Sequence, residues 1–115
     1  MRIISFKGTN MDLTDAIKKY VEEKLEAIEK LCVDFGEAVE IRIEVGKSTH
    51  HHAKGPYYRA EFQLSLPGEV LRAEEEEENL YAAVDAVKDQ LRRQVKSYKD
   101  RLKDKTQRVA RPDKQ

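Results

Sequence analysis

The sequence predicts an α+β fold, a two-layer sandwich of order β-α-β-β-β-α in which a four-stranded sheet carries two helices on one face. Two observations predict it. The middle of the chain alternates apolar and polar residues with period two, and the segments before and after it repeat apolar residues at helical spacing. A length of 115 residues suits one domain with one modest core.

Met1–Lys7 reads as the first strand, with Ile3, Ile4 and Phe6 apolar, and Gly8-Thr9-Asn10 as a turn. Asp12 or Thr14 can cap the helix that follows to about Leu31. Leu13, Ile17, Tyr20, Val21, Leu25, Ile28 and Leu31 mark its buried side, and Asp34-Phe35-Gly36 ends it. Val39, Ile41, Ile43 and Val45 then alternate with Glu40, Arg42 and Glu44, the signature of a half-buried strand. After a polar loop, Gly46–Pro56, a second such strand points Tyr58, Ala60, Phe62, Leu64 and Leu66 inward. Pro67-Gly68 makes a tight turn into a short strand, Glu69–Ala73. The acidic run Glu74–Glu78 leads into a long helix, about Asn79–Lys103, where its negative charge suits the helix dipole. The remainder, Lys105–Gln115, has no apolar period and is expected to be a basic, disordered tail.

Lys and Arg balance Asp and Glu at 22 each, so the net charge is zero. The charges are nevertheless segregated. Residues 79–115 hold 11 cations against 5 carboxylates, and the rest of the chain is correspondingly acidic. A neutral protein of this kind can still turn a positive face to an anionic partner. Cys32 is the sole cysteine, which excludes an internal disulfide and suits a semi-buried thiol in a reducing cytoplasm. No apolar run approaches the length of a membrane span, and no signal peptide opens the chain.

At 100° per residue the last helix divides into faces. Leu80, Val84, Val87, Leu91, Val95, Tyr98 and Leu102 form the stripe that packs on the sheet. Beside it Lys88, Arg92, Lys96, Lys99 and Lys103 fall within about 80° of arc and span about 22 Å. Tyr81 lies on the same arc and offers a stacking surface. Five phosphate contacts along this ridge correspond to a log–log salt dependence of roughly −3.5 to −4.5. The same residues also fit an ordinary solvated face, with Asp85–Lys88, Asp89–Arg92 and Asp100–Lys103 as local pairs. Arg101, Lys105, Arg108, Arg111 and Lys114 carry the basic character onward and favour nucleic acid. The acidic run speaks against an end-on approach of this helix to phosphate, so contact is expected from its side.

Enzyme signatures are weak. His50-His51-His52 are consecutive loop residues, a poor arrangement for converging on one metal ion, and no other His is present. That loop, with Lys47, Lys54 and Gly55-Pro56, is a lesser candidate for RNA contact. The sequence carries no nucleophile–base pair and no Gly-rich phosphate loop, so no catalytic residue, cofactor or metal site is assigned. The outward sheet positions Glu40, Arg42, Glu44, Arg59, Glu61 and Gln63 lack the aromatics of an RNA-reading platform. A protein–protein module, such as a homodimer through the outer sheet face or an edge strand, remains the alternative.

Several stretches carry a resemblance in their order and spacing. They are Gly8-Thr9-Asn10 followed by Leu13-Thr14-Asp15-Ala16-Ile17, then Tyr20-Val21-Glu22-Glu23-Lys24-Leu25 with Glu29-Lys30, then Val70-Leu71-Arg72-Ala73-Glu74. The most specific is Asn79-Leu80-Tyr81-Ala82-Ala83-Val84-Asp85, continued by Leu91-Arg92-Arg93-Gln94-Val95-Lys96 and Tyr98-Lys99. Over residues 1–104 the chain resembles the ribosome hibernation promoting factors, a family that includes ribosome-associated inhibitor A. The resemblance implies a cytoplasmic, non-enzymatic protein of starvation and stationary phase. It would bind the small (30S) subunit, alone or in the 70S ribosome, in the channel of mRNA and of A- and P-site tRNA, and inhibit translation. Neither a membrane nor a small-molecule substrate is implied. Contact with 16S ribosomal RNA would come from Lys24, Lys30, Arg72, Tyr81, Arg92, Arg93, Lys96 and Lys99, to which the ridge adds Lys88 and Lys103. Ser97 stands where the family commonly has a cation, and the His-rich loop is longer than the family's. Long members carry a C-terminal domain that dimerises ribosomes. Residues 1–104 would be the ribosome-binding domain, of a short form or of a longer protein.

Overall fold

A computed structural model describes residues 1–48 and 57–110, the last five of these as backbone only. The chain runs β1 (Arg2–Thr9), α1 (Asp15–Leu31), a 3₁₀ segment (Val33–Ala38), β2 (Glu40–Lys47), β3 (Tyr58–Leu66), β4 (Glu69–Glu77) and α2 (Leu80–Ala110). The sheet order is β1-β2-β3-β4. β1 pairs parallel to β2 through the α1 crossover, while β2, β3 and β4 form an antiparallel meander. This is the expected α+β architecture, with a mixed sheet.

Period two explains the core. Val39, just before β2, and Ile41, Ile43 and Val45 within it lie beside Ala60, Phe62, Leu64 and Leu66 of β3 and Leu71 and Ala73 of β4, all buried. From above, α1 adds Ile17, Val21, Leu25 and Ile28, and α2 adds Leu80, Ala83, Val84, Val87, Leu91, Val95 and Tyr98. Tyr98 donates its hydroxyl to the Pro67 carbonyl at 2.6 Å, tying α2 to the β3–β4 turn. Thr14 is the helix cap, its hydroxyl accepting from the Ile17 amide, and Cys32 is buried where α1 ends.

Several expected boundaries move. β1 continues through Thr9, and the chain turns at Asn10, whose φ is 60°. Ile3 and Ile4 are exposed on this edge strand instead of entering the core, with an irregularity in the β1–β2 register between Ile3 and Ser5. β4 is longer than expected. Glu74, Glu75, Glu76 and Glu77 are paired strand residues opposite Glu61, Ala60, Arg59 and Tyr58, not the start of a helix. The strand persists because β3 offers a full-length partner and because its carboxylates find donors. Arg59 bonds Glu74, the Ser48 hydroxyl meets Glu76 at 2.6 Å, and the Gln90 amide meets Glu75 at 2.7 Å. α2 runs on to Ala110, so part of the 105–115 segment expected to be disordered is helical. Leu102, expected in the apolar stripe, is exposed because α2 has by then passed the sheet. The His50–His52 loop, with Lys54 and Gly55-Pro56, and residues 111–115 lie outside the described residues.

Candidate nucleic-acid interface

α1 and α2 pack side by side on one sheet face, leaving a groove between them. Its head is a four-residue clasp. The Tyr20 hydroxyl of α1 lies 2.9 Å from both carboxylate oxygens of Asp85 on α2. Lys24 Nζ is 3.5 Å from the same carboxylate and 5.1 Å from the centre of the Tyr20 ring. Tyr81, one turn before Asp85, meets Tyr20 edge to face with ring centroids 4.7 Å apart. Burial and the Asp85 hydrogen bond raise the Tyr20 phenol above its usual acidity range, so it stays a donor.

Farther along, the groove opens into a concavity of about 430 Å³ lined by Glu23, Glu26, Ala27, Lys30, Leu31 and Arg92. Lys30 and Arg92 reach it from opposite helices. Lys96 and Lys103 follow Arg92 on the same arc of α2 and are exposed. Lys30, Arg92, Lys96 and Lys103 make no ion pair with another described residue. Glu23 and Glu26 line the same concavity, so the charge there is mixed, but the exposed cations Arg92, Lys96 and Lys103 continue along one arc of α2 and suit an anionic partner.

The other expected contact residues lie differently. Lys88 pairs with its neighbour Asp89 at 2.8 Å, and the expected Asp85–Lys88 pair is replaced by the interhelical clasp. The hydrogen bond from Lys88 holds the Asp89 carboxyl below its usual value. Lys99 is half-buried and donates to the Leu31 carbonyl at 2.8 Å, which makes it a cap on the C-terminal end of α1. Arg93 points to the far flank of α2, beside Glu69, Leu71, Gln90, Gln94, Ser97 and Arg101. Arg72 lies on the sheet face opposite the helices, held by Glu61 with Glu74 at 3.8 Å. Arg59 binds Glu61 and Glu74 from the adjacent strand. The groove and the arc of α2 that continues from it therefore gather Lys24, Lys30, Tyr81, Lys88, Arg92, Lys96 and Lys103, whereas Arg72 and Arg93 stand apart. The sequence pattern missed Tyr20 and Asp85. Their helical spacing marks only one residue as core-facing and one as a surface acid, and nothing local signals a pair 65 positions apart.

The middle of the β4 edge is covered by α2 side chains. Gln90 accepts from the Glu74 amide at 3.0 Å, and Gln94 donates to the Arg72 carbonyl at 2.9 Å. Among the described residues no group of three or more His, Cys, Asp or Glu side chains is placed to hold a metal ion, and no helix is long and apolar enough to cross a membrane.

Comparison with known proteins places this geometry in context. The family model described as sigma 54 modulation protein / S30EA ribosomal protein matches residues 4–103. A ribosome hibernation promotion factor of Deinococcus radiodurans is 32% identical over 98% of this chain and 56% of its own length. A protein of the same name from Staphylococcus aureus is 35% identical over 86% of this chain and 49% of its own. The chain thus spans about half the length of the curated relatives it matches. Among solved structures, the N-terminal domain of Thermus thermophilus Protein Y superposes with a TM-score of 0.68 at 35% identity, over 85% of this chain and 99% of that one. A ribosomal subunit interface protein from Coxiella burnetii superposes at 0.70 with 25% identity, over 87% and 99%.

Proposed function

Because the chain belongs to the sigma 54 modulation protein / S30EA ribosomal protein family, we propose that it is a ribosome hibernation factor. It binds the small ribosomal subunit in the channel of mRNA and of A- and P-site tRNA, and so inhibits translation in starved or stationary cells. The observation that carries this reading is the row of exposed cations along one arc of α2, Arg92, Lys96 and Lys103, with Lys30 facing Arg92 across the interhelical groove. Such a row suits the phosphates of 16S ribosomal RNA, met from the side of α2. The names of the relatives support the partner. No catalytic step is assigned, because the groove brings together no nucleophile and base.

The homodimer reading has less support. The middle of β4's edge is occupied by Gln90 and Gln94. β1 is irregular after Ile3 and carries Arg2 and Lys7, charges that discourage edge-to-edge pairing.

The test is co-sedimentation with small subunits and whole ribosomes across a salt series, alongside cell-free translation. The triple variant Arg92→Glu/Lys96→Glu/Lys103→Glu leaves the Lys99 cap in place. It should lose stoichiometric pelleting, with the log–log salt slope shallower by roughly 2 to 3 units. Equal pelleting of variant and wild type would remove the groove's role. Undiminished translation at stoichiometric protein would remove the function.

A further inference from the structure

We propose that the clasp at the head of the groove is a nucleobase subsite. An unpaired base bearing an exocyclic amine lies on Tyr81 and gives that amine to Asp85, and its adjoining phosphate lies near Lys24 and Lys88. The inference rests on the RNA-binding reading above and adds base selectivity to it.

Asp85 is the starting point. It lies on the groove side of α2, on the arc of Lys88, Arg92, Lys96 and Lys103, where a carboxylate repels phosphate. Its side chain is 44% exposed, so burial does not explain it. The Tyr20 hydroxyl and Lys24 fix its orientation but leave acceptor capacity, since a carboxylate offers about four lone-pair positions. In a nucleic acid, the groups that complement a fixed acceptor are the amines and ring N–H groups of unpaired bases. The neighbourhood supplies the rest of such a site. Tyr81 is 41% exposed and braced by the Tyr20 ring at 87°, which presents a stacking surface one helical turn from the carboxylate. Lys24 reaches within 3.5 Å of Asp85 from α1, and Lys88, three residues farther along α2, is paired with Asp89 and lies on the same arc.

This arrangement distinguishes bases by their hydrogen-bonding edge. Cytosine and uracil have similar rings, but cytosine offers an amine where uracil offers a carbonyl oxygen, and uracil's ring N–H lies between two carbonyl oxygens, so it cannot meet the carboxylate without bringing one of them close. A fixed carboxylate accepts from the first and repels the second.

The experiment measures binding of short oligocytidine and oligouridine of equal length to the whole chain by fluorescence anisotropy at fixed ionic strength. Wild type should prefer oligocytidine by roughly tenfold. Asp85→Asn keeps an acceptor for Tyr20 but loses the charge, and should bring the two affinities together. Tyr81→Leu should weaken both. Absence of the preference in wild type overturns the proposal, and that arm needs no variant to fold. A preference that survives Asp85→Asn also overturns it, as does a loss that falls equally on both oligonucleotides, which would mark Asp85 as a purely structural clasp. Small-subunit pelleting by the wild type separates the two readings. Pelleting without base preference refutes the subsite alone, and base preference without pelleting refutes the ribosomal partner alone.

Discussion

Lys99 lies on the basic arc of α2, yet its ammonium is spent on the Leu31 carbonyl at 2.8 Å. Replacing it with Met keeps the aliphatic stem and removes the donor. A hydrogen bond from a charged donor contributes about 1.5–3 kcal/mol, and a cation at a helix C-terminus adds about 0.3–1 kcal/mol. Leu31 is only half-buried, so water reaches the vacated carbonyl and offsets part of the loss. The expected cost is therefore about 1–2 kcal/mol. For a domain near this size that lowers Tm by roughly 5–10 °C. Lys96→Met is the matched control, because Lys96 is exposed and makes no ion pair with another described residue. It should leave Tm nearly unchanged and make the salt slope of RNA binding shallower by about 0.7–0.9. Circular-dichroism melts and a salt titration of ribosome binding read both quantities. The capping argument is refuted if Lys99→Met melts like wild type while losing one unit of salt dependence. In that case Lys99 is a phosphate ligand and the Leu31 contact is incidental.

Two further outcomes follow from the sheet. Burial raises the Glu61 carboxyl, but hydrogen bonds from Arg72 and Arg59 outweigh it and hold the group below its usual value near 4.5. A carboxyl depressed in the folded state contributes stability above the unfolded value and loses it as pH falls through the folded one. Urea midpoints should therefore drop on acidification below about pH 4.5, and Glu61→Gln should flatten that drop; an unchanged pH profile in the variant would assign the effect elsewhere. Gly46 lies where β2 meets β1, and a Cβ there would stand 2.0 Å from the Thr9 carbonyl oxygen. Because that atom is backbone, Gly46→Ala should cost at least the roughly 1–3 kcal/mol of an overpacked core, read as a lower denaturant midpoint; an unaltered midpoint would mean that β1 yields freely.

The helices and the two central strands were legible because their signals are local. Ile41-Arg42-Ile43 and Phe62-Gln63-Leu64 declare a strand and its buried side within three residues. Thr14 and the apolar spacing from Ile17 to Ile28 declare α1. The edges were not legible on the same terms. Glu is a good helix former, and the apolar alternation of β4 stops at Ala73. Only the facing length of β3, with Arg59 and Gln90 reaching across, keeps Glu74–Glu77 extended. Ile3 and Ile4 read as core by composition, but β1 is an edge strand, and its outer positions have no layer above them.

The basic arc of α2 shows the same division. Its existence is a matter of residue spacing on a 3.6-residue period, and the sequence by itself determined it, along with the fold class, the core of the central strands and the family text of residues 79–99. What each cation does depends on what stands opposite, and helical spacing carries no information about that. The tertiary structure alone decided that Lys99 caps α1, that Arg72 lies across the sheet, and that Tyr20 and Asp85 lock the two helices. The physical reason is range. Periodicity is set within a few residues, whereas side-chain hydrogen bonds join groups as far as 68 positions apart in the chain.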